Sequence, residues 1–319
     1  MNGGAIRAQQ NEVHLLNVSY AATRELYGAF DPLFAAYWKK KTGRTVTIAQ
    51  SYGSSGAQAR AVVAGLDADV TTLALGGDID AISRAGLVDP KWQSRLPTNS
   101  SPYTSTITFV VRKGNPKNIR DWNDLVKPGV GIVTPNPKTS GAARWNLLAA
   151  WAYASRRDRN NDAQTRTFVG QLYKNAVVLD ADSRTATASF AERGLGDVLV
   201  NWENEAYYLL RSQPGKYELV TPSVSILAEP SVAWVDKNVA QHGTADAAKA
   251  FLEYLYSEPA QELACRYGYR PTLTSVYGKC PTHFARLELW TIANFGGWKT
   301  AQEHYFADGG VFDQIYNTK

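Results

Sequence analysis

Between Val13 and Leu75 the chain alternates short apolar runs with longer amphipathic ones, and this alternation restricts the fold more than any other feature. Val13 to Tyr20 reads as a strand. Thr23 to Lys41 reads as a helix with Leu26, Phe30, Leu33, Phe34 and Tyr37 on one face, stopped by Gly43. Val46 to Gln50 is a second strand, Gln58 to Gly65 a second helix and Val70 to Leu75 a third strand. Strands that recur with a helix between them pair in parallel, because the crossover must return over the face of the sheet, so the order predicts an α/β fold.

The layout repeats. Thr104 to Arg112 is a β-branched strand that carries the chain into a second domain, which a length of 319 residues readily accommodates. Asp121 to Val126 reads as a short helix and Gly131 to Thr134 as a strand. Helices follow to about Arg156 and over Ala163 to Lys174, then a strand at Val177 to Leu179 and a helix at Ala186 to Arg193. Asp197 to Asn201 is a strand that delivers Trp202 to its end. Strands over Leu219 to Thr221 and Ile226 to Val235 form the return crossing, ahead of an amphipathic helix at Ala245 to Tyr256.

Charge and rare residues narrow the function. The 34 basic and 29 acidic residues are spread along the chain without a basic tract, which gives a nucleic-acid role no support while a net charge of +5 still attracts small anions. No run reaches the length of a transmembrane helix. His14, His242, His283 and His304 have no ligand spacing, so neither a metal site nor a cofactor is expected. Cys265 and Cys280, the only cysteines, are either one local disulfide or two buried thiols. Met1 to Gln10 lacks the basic and apolar regions of an export signal and is expected to be a leader without fixed structure.

The candidate chemistry lies in the turns after the strands. Ser19 to Thr23, Ser51 to Gly56, Gly76 to Asp78 and Asp182 to Thr185 are small, rich in hydroxyls and poor in charge. In open α/β sheets ligands bind outside the carboxyl ends of the strands. Gly53-Ser54-Ser55-Gly56 lacks the terminal Gly-Lys-Ser/Thr of a P-loop and reads as a short nest of N–H groups. The sharpest turn is Asn136-Pro137-Lys138-Thr139-Ser140-Gly141-Ala142-Ala143-Arg144. Here Ser140 is a natural N-cap, and the first N–H groups of the helix, at Gly141, Ala142 and Ala143, face an anion with the positive end of the dipole. Arg144 supports the turn from behind. Glu203 and Glu205 read as cap or surface charges, since residues two apart on a helix diverge. No Gly-x-Ser-x-Gly elbow and no placed carboxylate pair supports catalysis.

That turn matches at every position the signature Asn-Pro-Lys-Ser/Thr-Ser-Gly-x-Ala-Arg of the periplasmic sulfate-binding proteins of ABC importers, which the chain resembles over essentially its whole length after Gln10. Leu15 to Tyr20, Pro102 to Thr106, Val111 to Pro116, Gly196 to Leu199, Trp202 to Glu205 and Ile226 to Glu229 carry the resemblance further. It implies a two-lobed periplasmic binding protein of type II, each lobe a mixed, mostly parallel sheet flanked by helices. Lobe I is expected over 11–103 and 228–275 and lobe II over 104–227, with 276–319 a tail packing across them. The resemblance implies a monomeric periplasmic receptor, not an enzyme, that takes sulfate in its interlobe cleft and passes it to a membrane permease. Backbone donors at Ala21, Ser55, Gly141, Ala142 and Ser183, the Ser140 hydroxyl and the Trp202 indole are the implied ligand set.

Four departures stand out. Ala21-Ala22 replaces the family's Asp-Pro, Ser183 a small apolar residue, Ala142 a second glycine and Gly76-Gly77 an Ala-Tyr pair. Ala142 fits only if its φ is negative. Alternatives to a sulfate receptor are a receptor for thiosulfate or another tetrahedral oxyanion, an enzyme acting on an anionic ester, and a receptor that has lost binding. Thiosulfate-binding relatives generally carry Phe at the position of Trp202, so Trp202 favours sulfate.

Overall fold

A computed structural model describes residues 12–316, so the expected leader at Met1 to Gln10 lies outside the described residues. Two compact units make up the chain, one containing residues up to Tyr103 with Glu229–Thr282 and the other Thr104–Ala228 with His283 onward.

In the first unit β1 (Glu12–Tyr20), α1 (Arg24–Thr42), β2 (Thr45–Gly53), α2 (Ser55–Val63), β3 (Val70–Leu73) and α3 (Gly76–Arg84) follow one another. The second unit contributes β4 (Ile107–Arg112), β5 (Ile132–Pro135), α4 (Gly141–Arg157), α5 (Asp162–Lys174), β6 (Ala176–Asp180), α6 (Ser183–Ala191), β7 (Val198–Trp202), α7 (Glu203–Ser212), β8 (Tyr217–Val220) and β9 (Val224–Ile226). After the return come β10 (Ser231–Trp234), α8 (Asp236–His242), α9 (Ala245–Tyr254) and α10 (Glu258–Arg266), then β11 (Glu288–Trp290) and α11 (Val311–Tyr316).

The first sheet has the order β10-β3-β1-β2, with β1 parallel to both neighbours and β10 antiparallel to β3. The second has the order β6-β5-β7-β4-β8, with β5 parallel to β6 and β7, and β4 antiparallel to β7 and β8. Each is therefore mixed, with a block of three parallel strands, β3, β1 and β2 in the first sheet and β6, β5 and β7 in the second. Such strands end on one edge, which gathers the turns that follow them.

Local sequence explains the cores. The face α1 buries runs through Leu26, Tyr27, Phe30, Phe34 and Trp38, so Tyr27 and Trp38 take the fully buried places expected of Leu33 and Tyr37. Phe251 of α9 meets both Phe30 and Phe34 edge-on with centroids 5.1 Å away, the arrangement in which ring quadrupoles attract. In the second unit α4 is buried continuously from Gly141 to Ser155. A helix with no polar face must be enclosed on all sides. Trp145 stacks edge-on against Trp298, and Trp151 against Tyr305, so part of that enclosure comes from the last residues of the chain.

The residues expected to form a tail divide between the two units. Residues to Thr282 belong to the first unit, where Cys265 and Cys280 form a disulfide across a separation of 15 residues. From His283 onward they belong to the second, where β11 pairs in parallel with β9.

One clamp in the first unit is sensitive to pH. His242 bonds Asp69 through Nδ1 and Asp67 through Nε2, both at 2.9 Å, while the Leu16 N–H donates to the other Asp69 oxygen at 2.8 Å. The bond to Asp69 raises the His242 pKa above its ordinary value, against the opposing effect of burial and with help from Asp67. A raised imidazole pKa stabilises the fold fully below about 6.5, and the contribution disappears as pH rises through the folded value. Urea denaturation of the wild type and His242→Gln should therefore differ more at pH 6 than at pH 9; an equal gap at both would exclude the charged clamp.

Candidate anion-binding site

Each sheet ends in turns that open helices, and every residue singled out from the sequence lies on one of them. In the second sheet β5, β6 and β7 end at Pro135, Asp180 and Trp202, and Pro135 is paired with Asp180. The structure thereby gathers Ser140, Gly141, Ala142, Ser183 and Trp202 at one edge. In the first sheet Tyr20 at the end of β1 is paired with Gly53 at the end of β2, which puts Ala21 beside the turn that leads to Ser55. All seven residues are buried.

The Asn136 turn is fastened by its first residue. The Asn136 carbonyl accepts the N–H groups of Thr139 (3.1 Å) and Ser140 (2.8 Å), and its side-chain oxygen accepts that of Lys138 (2.9 Å). Asn136 N–H and the Thr139 hydroxyl reach across to the carbonyls of Asp180 and Ala181, both at 2.8 Å, so this turn and the one before α6 form a single piece.

Ser140 occupies the N-cap position with extended backbone, φ −102° and ψ 127°, but its side chain makes no capping bond. That corrects the capping role expected of it. Because Asn136 already holds the turn, the hydroxyl stays uncommitted among the described residues. The first intrahelical bond runs from Arg144 to the Ser140 carbonyl at 3.3 Å, so the N–H groups of Gly141, Ala142 and Ala143 precede it. Ala142 is helical and absent from the residues with positive φ, which meets the condition for replacing glycine there.

At α6 the Asp182 side chain caps the Thr185 N–H at 2.9 Å, and the first intrahelical bond runs from Ala186 to Asp182 at 3.1 Å. Ser183 N–H lies ahead of both. Asn201 then joins this turn to the end of β7. Its amide donates to the Ser183 carbonyl at 2.9 Å and the Thr187 hydroxyl at 3.1 Å, and its oxygen accepts the Trp202 N–H at 2.9 Å.

In the first unit hydroxyls fix the turn that carries Ala21 and Ala22. Thr23 donates to the Tyr20 carbonyl at 2.6 Å, its oxygen lies 2.6 Å from that of Ser19, and Thr72 donates to Ser19 at 2.7 Å. Tyr269 holds the Ala22 carbonyl at 2.9 Å. Ala21 therefore sits on a fixed turn of 3-10 helix. Ser54 to Gly56 is not an open nest: β2 runs to Gly53 and Ser55 is already the first residue of α2. The Ser55 hydroxyl donates to Asp78 at 2.6 Å and accepts the Ala74 N–H at 3.0 Å, which commits the side chain and leaves the backbone N–H as the donor.

Both cations of the Asn136 turn have partners among the described residues. Lys138 bonds Asp308 and Asp313 at 3.0 and 2.9 Å, and Arg144 donates through Nε to the Pro137 carbonyl at 3.2 Å. Glu203 and Glu205 are fully buried, against the expectation of cap or surface charges. Side chains two apart on α7 could not share one site, and Glu205 instead pairs with Arg184 at 2.9 Å and accepts the Thr187 hydroxyl at 2.7 Å. Helix starts whose leading N–H groups precede the first intrahelical bond form a donor set suited to a small anion.

The bacterial extracellular solute-binding protein family matches residues 18–270. The chain belongs to that family. As a solute-binding protein it is 54% identical over 314 residues to the sulfate-binding protein of Escherichia coli, covering 98% of this chain and 95% of that one. To the thiosulfate-binding protein of the same species it is 46% identical over 305 residues, covering 94% and 90%. The solved sulfate-binding protein SubI from Mycobacterium tuberculosis superimposes with a TM-score of 0.84 at 36% identity, over 92% of this chain and 99% of that one. The fold is that of a type II periplasmic binding protein, and no helix among the described residues is long and apolar enough to cross a membrane.

The sequence offered candidate donors but not the residues that hold them in place: Ser19, Thr23 and Thr72 under Ala21, Asp78 under Ser55, and Asn201 between Ser183 and Trp202. Only Asn201 carried a signal, as the polar last residue of an apolar strand. Asn201→Asp keeps the oxygen, loses both donated bonds and sets a carboxylate oxygen against the Ser183 carbonyl. The expected cost is about 1–3 kcal/mol in urea denaturation with an unchanged slope, and a wild-type midpoint would show that the links carry nothing.

Proposed function

We propose that this solute-binding protein captures sulfate, accepts thiosulfate more weakly, and hands its ligand to the membrane permease of an ABC importer. The observation that carries the reading is the run of first-turn N–H groups at Gly141 and Ala142 behind a Ser140 hydroxyl that caps nothing. Donors at Ser183, the Trp202 indole, Ala21 and Ser55 complete the set in this reading. The names of its relatives, sulfate-binding and thiosulfate-binding, support the same ligand class.

The chemistry favours sulfate on physical grounds. A buried anion needs hydrogen bonds in place of its hydration, and fixed backbone dipoles supply them without a lysine or arginine. Sulfate carries no proton at neutral pH. Hydrogen phosphate brings one, and a proton facing only donors costs on the order of 1–3 kcal/mol. The chain acts, in this reading, as a monomeric receptor in the periplasm that binds without catalysis.

Isothermal titration with sulfate, thiosulfate, molybdate and phosphate at constant ionic strength tests this directly. Sulfate should bind most tightly; phosphate binding as tightly would overturn the donor argument, and turnover of an anionic ester without sulfate binding would make the protein an enzyme. Trp202→Phe should weaken sulfate by about 1.5–3 kcal/mol, the worth of a hydrogen bond to a charged group, and thiosulfate by less. Equal losses would remove Trp202 from the selectivity.

A further inference from the structure

We infer that the segment 302–313 is a strap that fixes the Asn136 turn through Lys138, which makes Lys138 and Asp313 positioning residues for the bound anion. The inference rests on the reading of this turn as the anion site. Lys138 stands two residues before Ser140, and a lysine in such a motif invites the view that it attracts the ligand. Its amine is instead fully occupied elsewhere. Four oxygens surround it: the carbonyls of Phe306 (3.2 Å) and Ala307 (3.3 Å), Asp308 (3.0 Å) and Asp313 (2.9 Å). An ammonium group has three N–H donors, so these acceptors exhaust it.

The strap is itself anchored. Asp313 also accepts the Gly309 N–H at 2.8 Å, which ties the bend before α11 to the same carboxylate, and the Gln314 amide holds the Gly309 carbonyl at 2.9 Å. On the side of the turn, the Lys138 N–H bonds the Asn136 side chain and the next two N–H groups bond the Asn136 carbonyl. A shift of the Lys138 backbone must therefore move Ser140 and the first turn of α4. The contact extends along the helix. The Arg144 guanidinium lies 5.7 Å from the Phe306 ring centre, and the rings of Trp298 and Tyr305 cover Trp145 and Trp151.

Attraction and positioning predict opposite signs for one substitution. Asp313→Ala deletes a negative charge near the site. If Lys138 acts as a charge for the anion, sulfate binds Asp313→Ala more tightly. If the strap positions the turn, sulfate binds it more weakly, by roughly tenfold and chiefly through faster dissociation. Lys138→Met should give a similar loss, the double variant no further loss because both changes cut the same link, and Lys138→Arg a partial recovery.

The decisive experiment combines sulfate titration and stopped-flow dissociation with hydrogen exchange of residues 136–144 in the unliganded protein. Exchange in that stretch should speed up in Asp313→Ala while the first unit is unchanged. Binding as tight as wild type or tighter, or unaltered exchange at 136–144, overturns the strap. Failure of the wild type to bind sulfate would overturn the proposed ligand, and the exchange result would still decide the strap. Should Asp313→Ala fail to fold, Lys138→Met cuts the same link from the side of the turn, and faster or unaltered exchange at 136–144 decides the strap.

Discussion

The structure turns on a set of backbone N–H groups that the protein itself does not satisfy at the start of α4. Buried amides are almost always paired, so a helix start that is enclosed and uncapped demands an acceptor from outside. At Gly141 and Ala142 the usual internal remedy is available one residue away, in Ser140, and is not used. The turn needs no cap to hold its shape because Asn136 closes it with three bonds of its own. Separating the work of holding the turn from the work of offering donors lets the same few residues do both.

The other helix starts reach that separation by different chemistry. Around Ala21 three hydroxyls, Ser19, Thr23 and Thr72, form a chain that ends on the Tyr20 carbonyl. At Ser55 the side chain turns inward to Asp78, and at Ser183 an aspartate one residue earlier caps the third N–H. In each case side chains are spent on the scaffold and the backbone dipoles face out. Dipoles fixed in advance need not reorganise when an anion arrives, which is why such a site can hold charge without countercharge.

Much of this was legible in the sequence because it is local. Strand and helix alternation, the glycine stop after α1, and the turns at Asn136 and Asp182 all follow from residues within a few positions of one another. What escaped reading depends on distant partners. Glu205 looks like a surface charge until Arg184 and Thr187 arrive from α6, and α1 rotates its buried face to Tyr27 and Trp38 because Phe251 lies more than two hundred residues ahead. The Ala21-Ala22 departure looked like a missing cap. The turn is held instead by Ser19, which meets the Thr23 hydroxyl directly and is itself bonded by Thr72 from a strand that pairs with β1.

The nine residues from Asn136 to Arg144 therefore divide by role in a way their order conceals. Ser140, Gly141 and Ala142 present donors, and the charged and amide side chains around them bond away from those donors. Asn136 and Thr139 bind the turn to itself and to the end of β6, Arg144 folds back onto Pro137, and Lys138 reaches the end of the chain. A cation left facing the donors would strengthen the field on any anion regardless of its shape, whereas directed N–H groups discriminate by geometry and by proton count. In the proposed reading, neutralising Lys138 against Asp308 and Asp313 favours selectivity over raw attraction.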